Sequence, residues 1–176
     1  MGQISCVDLT INSLATTLTF TPVEAISLNE SFSIQVLIDE IKNLAGWSFN
    51  LEYDPKIFSF ESVEEGDVLK IYNGTIFFQK GTVNKTVGTV TGISSTYLGT
   101  GGVSSSGSLL TINLKSIKGE EGYFRLKETK FGDYKSNEIT IQSIHQLPFL
   151  LVEIGRNLVR GLEKCWLRPI EYHRMC

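Results

Sequence analysis

The sequence predicts an all-β protein, an antiparallel sandwich of eight or nine short strands followed by one amphipathic helix. Three observations carry this. Apolar residues recur at every second position through most of residues 16–144, the period of a strand with one buried face. Turn-forming clusters separate these runs at intervals of roughly 8–15 residues. No stretch before Gln146 has the 3.6-residue period of a helix, so alternating βαβ units are not expected.

In chain order, Leu18 and Phe20 open the first strand. FSIQVLID, residues 32–39, forms the second, with Phe32, Ile34, Val36 and Ile38 on one face. The third is LAGWSFNLEYDP, residues 44–55. Trp47, Phe49, Leu51 and Tyr53 take its inner side, Ser48, Asn50 and Glu52 its outer side, and Asp54-Pro55 ends it. KIFSFESVEEG and GTIFFQKG give the fourth and fifth. VGTVTGISSTYL gives a long sixth, interrupted by Gly92. SLLTINLKSI, with Leu110, Ile112 and Leu114 inward, GYFRLKE and NEITIQSI complete the series. Asn29-Glu30, Glu65-Gly66-Asp67, Asn73-Gly74, Gly119 and Gly132-Asp133 mark turns between them. GTGGVSSSG, residues 99–107, reads as a flexible loop, because it lacks the Lys-Ser/Thr pair and the following helix of a phosphate loop.

The pattern changes after Gln146. In LPFLLVEIGRNLVRGLEKCWLRP, residues 147–169, Leu147, Leu151, Ile154, Leu158 and Leu162 share one helical face opposite Glu153, Arg156, Arg160, Glu163 and Lys164. This predicts a helix of about five turns, with Pro148 in its first turn and Pro169 past its end. Three divisions follow: an N-terminal extension (1–15), a sandwich domain (16–145) and a helical tail (146–176). The tail packs on the domain, on a second copy or on a membrane surface, or it is a foreign segment. Gly155 and Gly161 weaken its helix in every case.

Bulk properties narrow the function. The formal net charge of −3 argues against a general nucleic-acid binder. Cys6, Cys165 and Cys176 form no CxxC, so neither a disulfide framework nor a zinc site is expected. No DxDxDG calcium loop is present, and no cofactor is implied. His145 and His173 stand apart from any nucleophile motif, so no catalytic residues are assigned and an enzyme is not expected. The first twenty residues do not read as a secretory signal. A sandwich without catalytic groups presents a surface. A sugar-binding face needs exposed coplanar aromatics, for which Tyr72, Phe77 and Tyr97 are candidates. A protein-docking face needs a mixed polar and apolar sheet surface.

The order of these segments resembles a cohesin module over about residues 16–144. The most telling part is the alternating strand ending in Tyr-Asp-Pro, with the aliphatic strand after it leading to Glu-Gly-Asp. The resemblance implies a nine-stranded jelly roll that captures a calcium-loaded dockerin carried by another protein, at the cell surface or outside the cell, in assemblies that degrade polysaccharide. The calcium then belongs to the partner. A carbohydrate-binding module of the same sandwich class, with polysaccharide as ligand, is the alternative. The resemblance places docking on the sheet of the third, fifth, sixth and eighth strands. It points to Gly46, Ser48 and Asn50, to Phe77 or Phe78, and to Ile93, Ser95, Thr96, Leu98 and Gly99. Gly46 and Ser48 stand where many cohesins carry Asn and Asp, which implies a different dockerin specificity.

Overall fold

The computed structural model describes residues 16–21, 23, 26–145 and, as backbone, 150–153. Eleven strands lie among the described residues: β1 (Thr17–Phe20), β2 (Ile26–Ser27), β3 (Ser31–Tyr53), β4 (Phe58–Glu65), β5 (Ile76–Asn84), β6 (Thr89–Tyr97), β7 (Val103–Ser116), β8 (Glu121–Gly122), β9 (Phe124–Asp133), β10 (Ser143–His145) and β11 (Leu150–Glu153).

The long strand β3 belongs to two layers. Its first half pairs with β1 and β7, and this layer continues to β10 beside β1 and to β4 beside β7. Its second half pairs with β6 and β9, and β5 lies outside β6. The inner faces meet in one core that includes Ile34, Val36, Phe49, Leu51, Ile112 and Leu114, all at most 1% exposed. Each such burial stabilises by roughly 1.5–3 kcal/mol. Phe58 of β4 packs on Phe124 of β9 with ring centroids 4.7 Å apart, joining the layers. Trp47, on the inner side as the alternation predicts, is 3% exposed and stacks on Phe49.

The second and third predicted strands are thus one continuous strand. Its corner lies at residues 39–44, where Glu40 and Asn43 take positive φ (47° and 57°) and the register with β7 shifts twice. Such bulges let a strand change sheets. They also free backbone donors from the ladder, and β7 supplies acceptors. The Ser106 hydroxyl accepts from the Glu40 N–H (2.9 Å) and the Ser104 hydroxyl from the Asn43 N–H (3.0 Å). The Gly-Ser segment expected as a flexible loop therefore forms, from Val103 onward, a ladder partner of that corner.

The Glu65-Gly66-Asp67 turn is a clip between the layers. The Glu65 carboxylate accepts a 2.5 Å hydrogen bond from the fully buried Ser95 hydroxyl on β6. The Asp67 carboxylate accepts from both the N–H and the hydroxyl of Ser108 on β7 (2.7 and 2.8 Å). Between them Gly66 lies so close to β7 that a Cβ there would be 2.0 Å from the Ser108 carbonyl oxygen.

The strand count is eleven among the described residues rather than nine. Joining at the corner removes one expected strand, and the short β2, β8 and β11 are additional. The last corrects the helix prediction: Leu150–Glu153 is extended and pairs on both sides, with β2 and β8. Two sheet edges one strand apart satisfy its backbone as well as a helix would. The remainder of the predicted helix lies outside the described residues.

Candidate docking face

The outer face of the β5-β6-β3-β9 layer is built in cross-strand rows. Phe77, Thr96, Gly46 and Gly132 form one, and Gln79, Ser94, Ser48 and Lys130 the next. Small side chains in the middle of both rows leave a trough of about 590 Å³, walled on the β9 side by the turn at Ser136–Glu138. The hydroxyls of Ser48, Ser94 and Thr96 make no hydrogen bond to a described residue. Phe77 and Leu98 stand at the β5 side, diagonal neighbours on the outer face. They are 60% and 61% exposed, and the Leu98 N–H donates to the Thr75 carbonyl (2.8 Å). The surface therefore combines a polar floor with an apolar rim.

Asn50 has another role. Opposite it, β6 and β9 each carry an extra residue, and Gly92 and Glu128 sit at positive φ (72° and 51°). The Asn50 side chain bridges the two bulges. Its Oδ1 accepts from the Gly92 N–H (2.8 Å) and its Nδ2 donates to Glu128 Oε2 (2.8 Å). Both ends of the amide are engaged, so Asn50 shapes the face rather than offering a free group. Asn50→Ala is expected to cost about 2 kcal/mol, two ordinary hydrogen bonds, in urea denaturation. A cost below about 0.5 kcal/mol would mean that water replaces both partners.

The same bulge corrects the expected exposure of Ile93 and Ser95. Both are 0% exposed. Gly81 and Gly92, cross-strand neighbours in the β5–β6 register, both have positive φ, and the alternation of β6 changes phase there. On the Tyr97 side of the kink the odd-numbered residues point inward, so Ser94 and Thr96 point out. Phe78 is likewise half-buried and tilts against Trp47 at 6.4 Å. Gly99 is a packing residue. A Cβ at Gly99 or at Gly74 would lie within 2.3 Å of the Tyr97 ring, which fits between them. Tyr97 is consequently buried, so Tyr72, Phe77 and Tyr97 do not form an exposed aromatic platform.

The turn that walls the trough is held by Asp133. Its carboxylate accepts from the Asn137 side chain (2.9 Å) and from the backbone N–H groups of Asn137 and Lys135 (both 2.8 Å). These bonds, the Asn137 side chain first, hold its pKa below the ordinary aspartate value. A depressed carboxyl stabilises the fold above the unfolded pKa, and that contribution fades as pH falls through the folded value. Protection of the Lys135 and Asn137 amide protons, taken relative to the intrinsic exchange rate at each pH, should therefore be lost only as pH falls below the ordinary aspartate range of about 4. A transition near pH 6 would exclude Asp133 as the staple.

The amino-acid sequence matches the Cohesin domain family model over residues 16–144. The chain belongs to the cohesin family. Solved cohesins share its fold. The type II cohesin–X-dockerin complex structure Coh3ScaB–XDoc from Acetivibrio cellulolyticus aligns with a TM-score of 0.65 at 15% identity, covering 79% of this chain and 99% of that one. The second type II cohesin of the adaptor ScaA scaffoldin of the same organism, with its long C-terminal linker, gives 0.67 at 15% identity over 85% and 97%. A non-cellulosomal cohesin of Archaeoglobus fulgidus gives 0.58 at 16% over 79% and 91%. No curated protein matches the sequence.

In this cohesin the outward positions anticipated from sequence are Gly46, Ser48, Phe77, Thr96 and Leu98. The reading missed Ser94, Gln79 and Lys130. Counting back by twos from Leu98 reaches Thr96 and Ser94. Lys130 lies past the bulge that interrupts β9 at Glu128, where the period-two pattern of the eighth strand ends.

Proposed function

We propose that this cohesin is a non-catalytic receptor that captures a calcium-loaded dockerin on the outer face of β5-β6-β3-β9, and so assembles polysaccharide-degrading or cell-surface complexes outside the cell. The observation that carries the reading is the trough. Its hydroxyls on Ser48, Ser94 and Thr96, which bond to no other described residue, lie beside two exposed apolar side chains on the same face. An apolar rim takes the buried side of a partner helix, and the hydroxyls fix its angle. Relatives of the same fold support the choice of partner, because solved cohesins of Acetivibrio cellulolyticus include complexes with an X-dockerin and with a Cel5 dockerin. Residues 16–145 form the receptor domain in this reading. Immobilised protein should retain members of a dockerin panel in calcium, release them in chelator, and ignore insoluble cellulose. Retention on cellulose with no dockerin bound would replace this function with carbohydrate binding.

A further inference from the structure

Between β4 and β5 the fold requires a dipeptide that its own chemistry makes labile. Asn73 is exposed and holds a positive φ of 51°, a backbone conformation that, among residues with a side chain, Asn and Asp tolerate best. The next position has no room for a side chain. A Cβ on Gly74 would lie 2.2 Å from the ring of Tyr97, which is buried between Gly74 and Gly99 and has nowhere to turn. The backbone at 73 thus favours Asn, and the packing at 74 demands Gly. Asn73-Gly74 is the one Asn-Gly pair in the sequence.

Among the described residues, neither reacting group of this pair is tied down. The Asn73 carboxamide has no hydrogen-bond partner, and the Gly74 N–H donates to none. Other asparagines in turns differ on both counts. The Asn84 Oδ1 accepts from the N–H groups of Thr86 and Val87 (3.1 and 3.2 Å), and Lys85 follows it. Asn29 also has positive φ, but the nitrogen after it belongs to Glu30, which donates to the Ser27 carbonyl (3.1 Å).

We propose that Asn73 is a self-modification site, where the chain converts its own carboxamide to a carboxylate, and that the conversion loosens the strand end at Leu98. The Gly74 nitrogen attacks Asn73 Cγ. The new N–Cγ bond closes a five-membered succinimide as the Cγ–Nδ2 bond breaks, and ammonia leaves carrying the proton lost from Gly74. Water then opens the ring. Attack at Cγ restores the backbone with an aspartate at 73. Attack at the Asn73 backbone carbonyl leaves the chain running through Cγ, an isoaspartate that places one more carbon between residue 73 and Gly74.

That extra carbon enters where there is least slack. Gly74 is pressed on the Tyr97 ring, and the neighbouring Thr75 carbonyl accepts the Leu98 N–H (2.8 Å). Displacing Gly74 moves Thr75 with it, so the bond that holds Leu98 weakens. Leu98 stands at the apolar rim of the outer face, and that rim therefore changes with the age of the protein. Neither the conversion nor its effect on Leu98 depends on what the face binds.

The test holds the full chain at mildly alkaline pH and follows it by tryptic mapping and amide exchange. Cleavage after Lys70, Lys80 and Lys85 puts Asn73 and Asn84 on separate peptides. Asn73 should convert at least about tenfold faster than Asn84, with isoaspartate the larger product. In the converted protein the Leu98 amide should exchange at least about fivefold faster, as expected of a locally opened segment. Asn73→Gly tolerates the same positive φ and has no carboxamide, so after the same incubation it should keep the original Leu98 protection. Conversion of Asn73 no faster than that of Asn84 would overturn the site. Conversion with Leu98 protection unchanged, or an equal loss of protection in incubated Asn73→Gly, would overturn the link to the strand end.

Discussion

A chain carrying Gly66→Ala is expected to lose about 3 kcal/mol of stability, the upper part of the usual range for an overfilled site. For a domain of this size that lowers the melting temperature on the order of 10 °C. The added methyl would meet the Ser108 carbonyl oxygen at 2.0 Å and the Leu109 carbonyl carbon at 2.7 Å, both backbone atoms of a central strand that cannot rotate away. Relief requires moving the turn off β7. That movement stretches the bonds from Asp67 to Ser108 on one side and from Ser95 to Glu65 on the other. Glu65, Gly66 and Asp67 should therefore behave as a unit: Asp67→Ala alone is damaging, but adds little once Gly66 is replaced. Thermal unfolding of the two single variants and the double variant measures this coupling. A loss below about 1 kcal/mol for Gly66→Ala would mean that the turn yields locally and the layers are held by other contacts.

Leu98→Asp should separate binding from folding. The side chain is 61% exposed, and the strand end is held through backbone, so stability should shift by less than about 0.5 kcal/mol. Against a dockerin the same change places an unpaired carboxylate in an apolar contact, and should cost about 2 kcal/mol or more, roughly a thirtyfold loss of affinity. Ser48→Ala, on the trough floor, should cost about 1 kcal/mol of binding. Ser95→Ala should give the reverse signature. It removes the buried hydroxyl that bonds the partly buried Glu65 carboxylate, leaving that carboxylate, among the described residues, only its 3.9 Å ion pair with Lys70, and it leaves the outer face unchanged, so stability falls and affinity holds. Titration calorimetry beside thermal unfolding reads both quantities. If Leu98→Asp binds as the parent does, the contact surface is not the Phe77–Leu98 rim.

Much of this architecture was legible because period-two burial is a strong signal wherever a strand is regular. Trp47, Phe49, Leu51 and Tyr53 are buried as read, and Leu110, Ile112 and Leu114 likewise. The reading failed where the backbone leaves that period. Positive φ at Gly92 and Glu128 adds a residue to β6 and to β9, which moved Ile93 and Ser95 from the surface to the core and hid Lys130. A glycine inside a strand warned of the first bulge. Nothing in the letters Lys-Glu-Thr-Lys marks the second. The serines of residues 103–107 look like a flexible linker in isolation. Their function as acceptors for Glu40 and Asn43 exists only once the corner of β3 is beside them. At Leu150–Glu153 an apolar run fitted either period, and the two waiting edges decided it.

The wide separation of ladder partners sets a clock on synthesis. Thr17 has no parallel partner until Ser143 exists, and the first half of β3 waits for β7. At about 5–20 residues per second, a ribosome takes roughly 6–25 s between the first and the second. Until then β1 is paired on its β3 side alone, and for the earlier part of the interval the first half of β3 has β1 but not β7 beside it. Contacts this distant in sequence also slow the folding that follows, into the range of milliseconds to seconds typical of all-β domains. The nascent chain is therefore most prone to association before its last strands emerge, and refolding at low temperature and low concentration should recover far more monomer than refolding at high concentration.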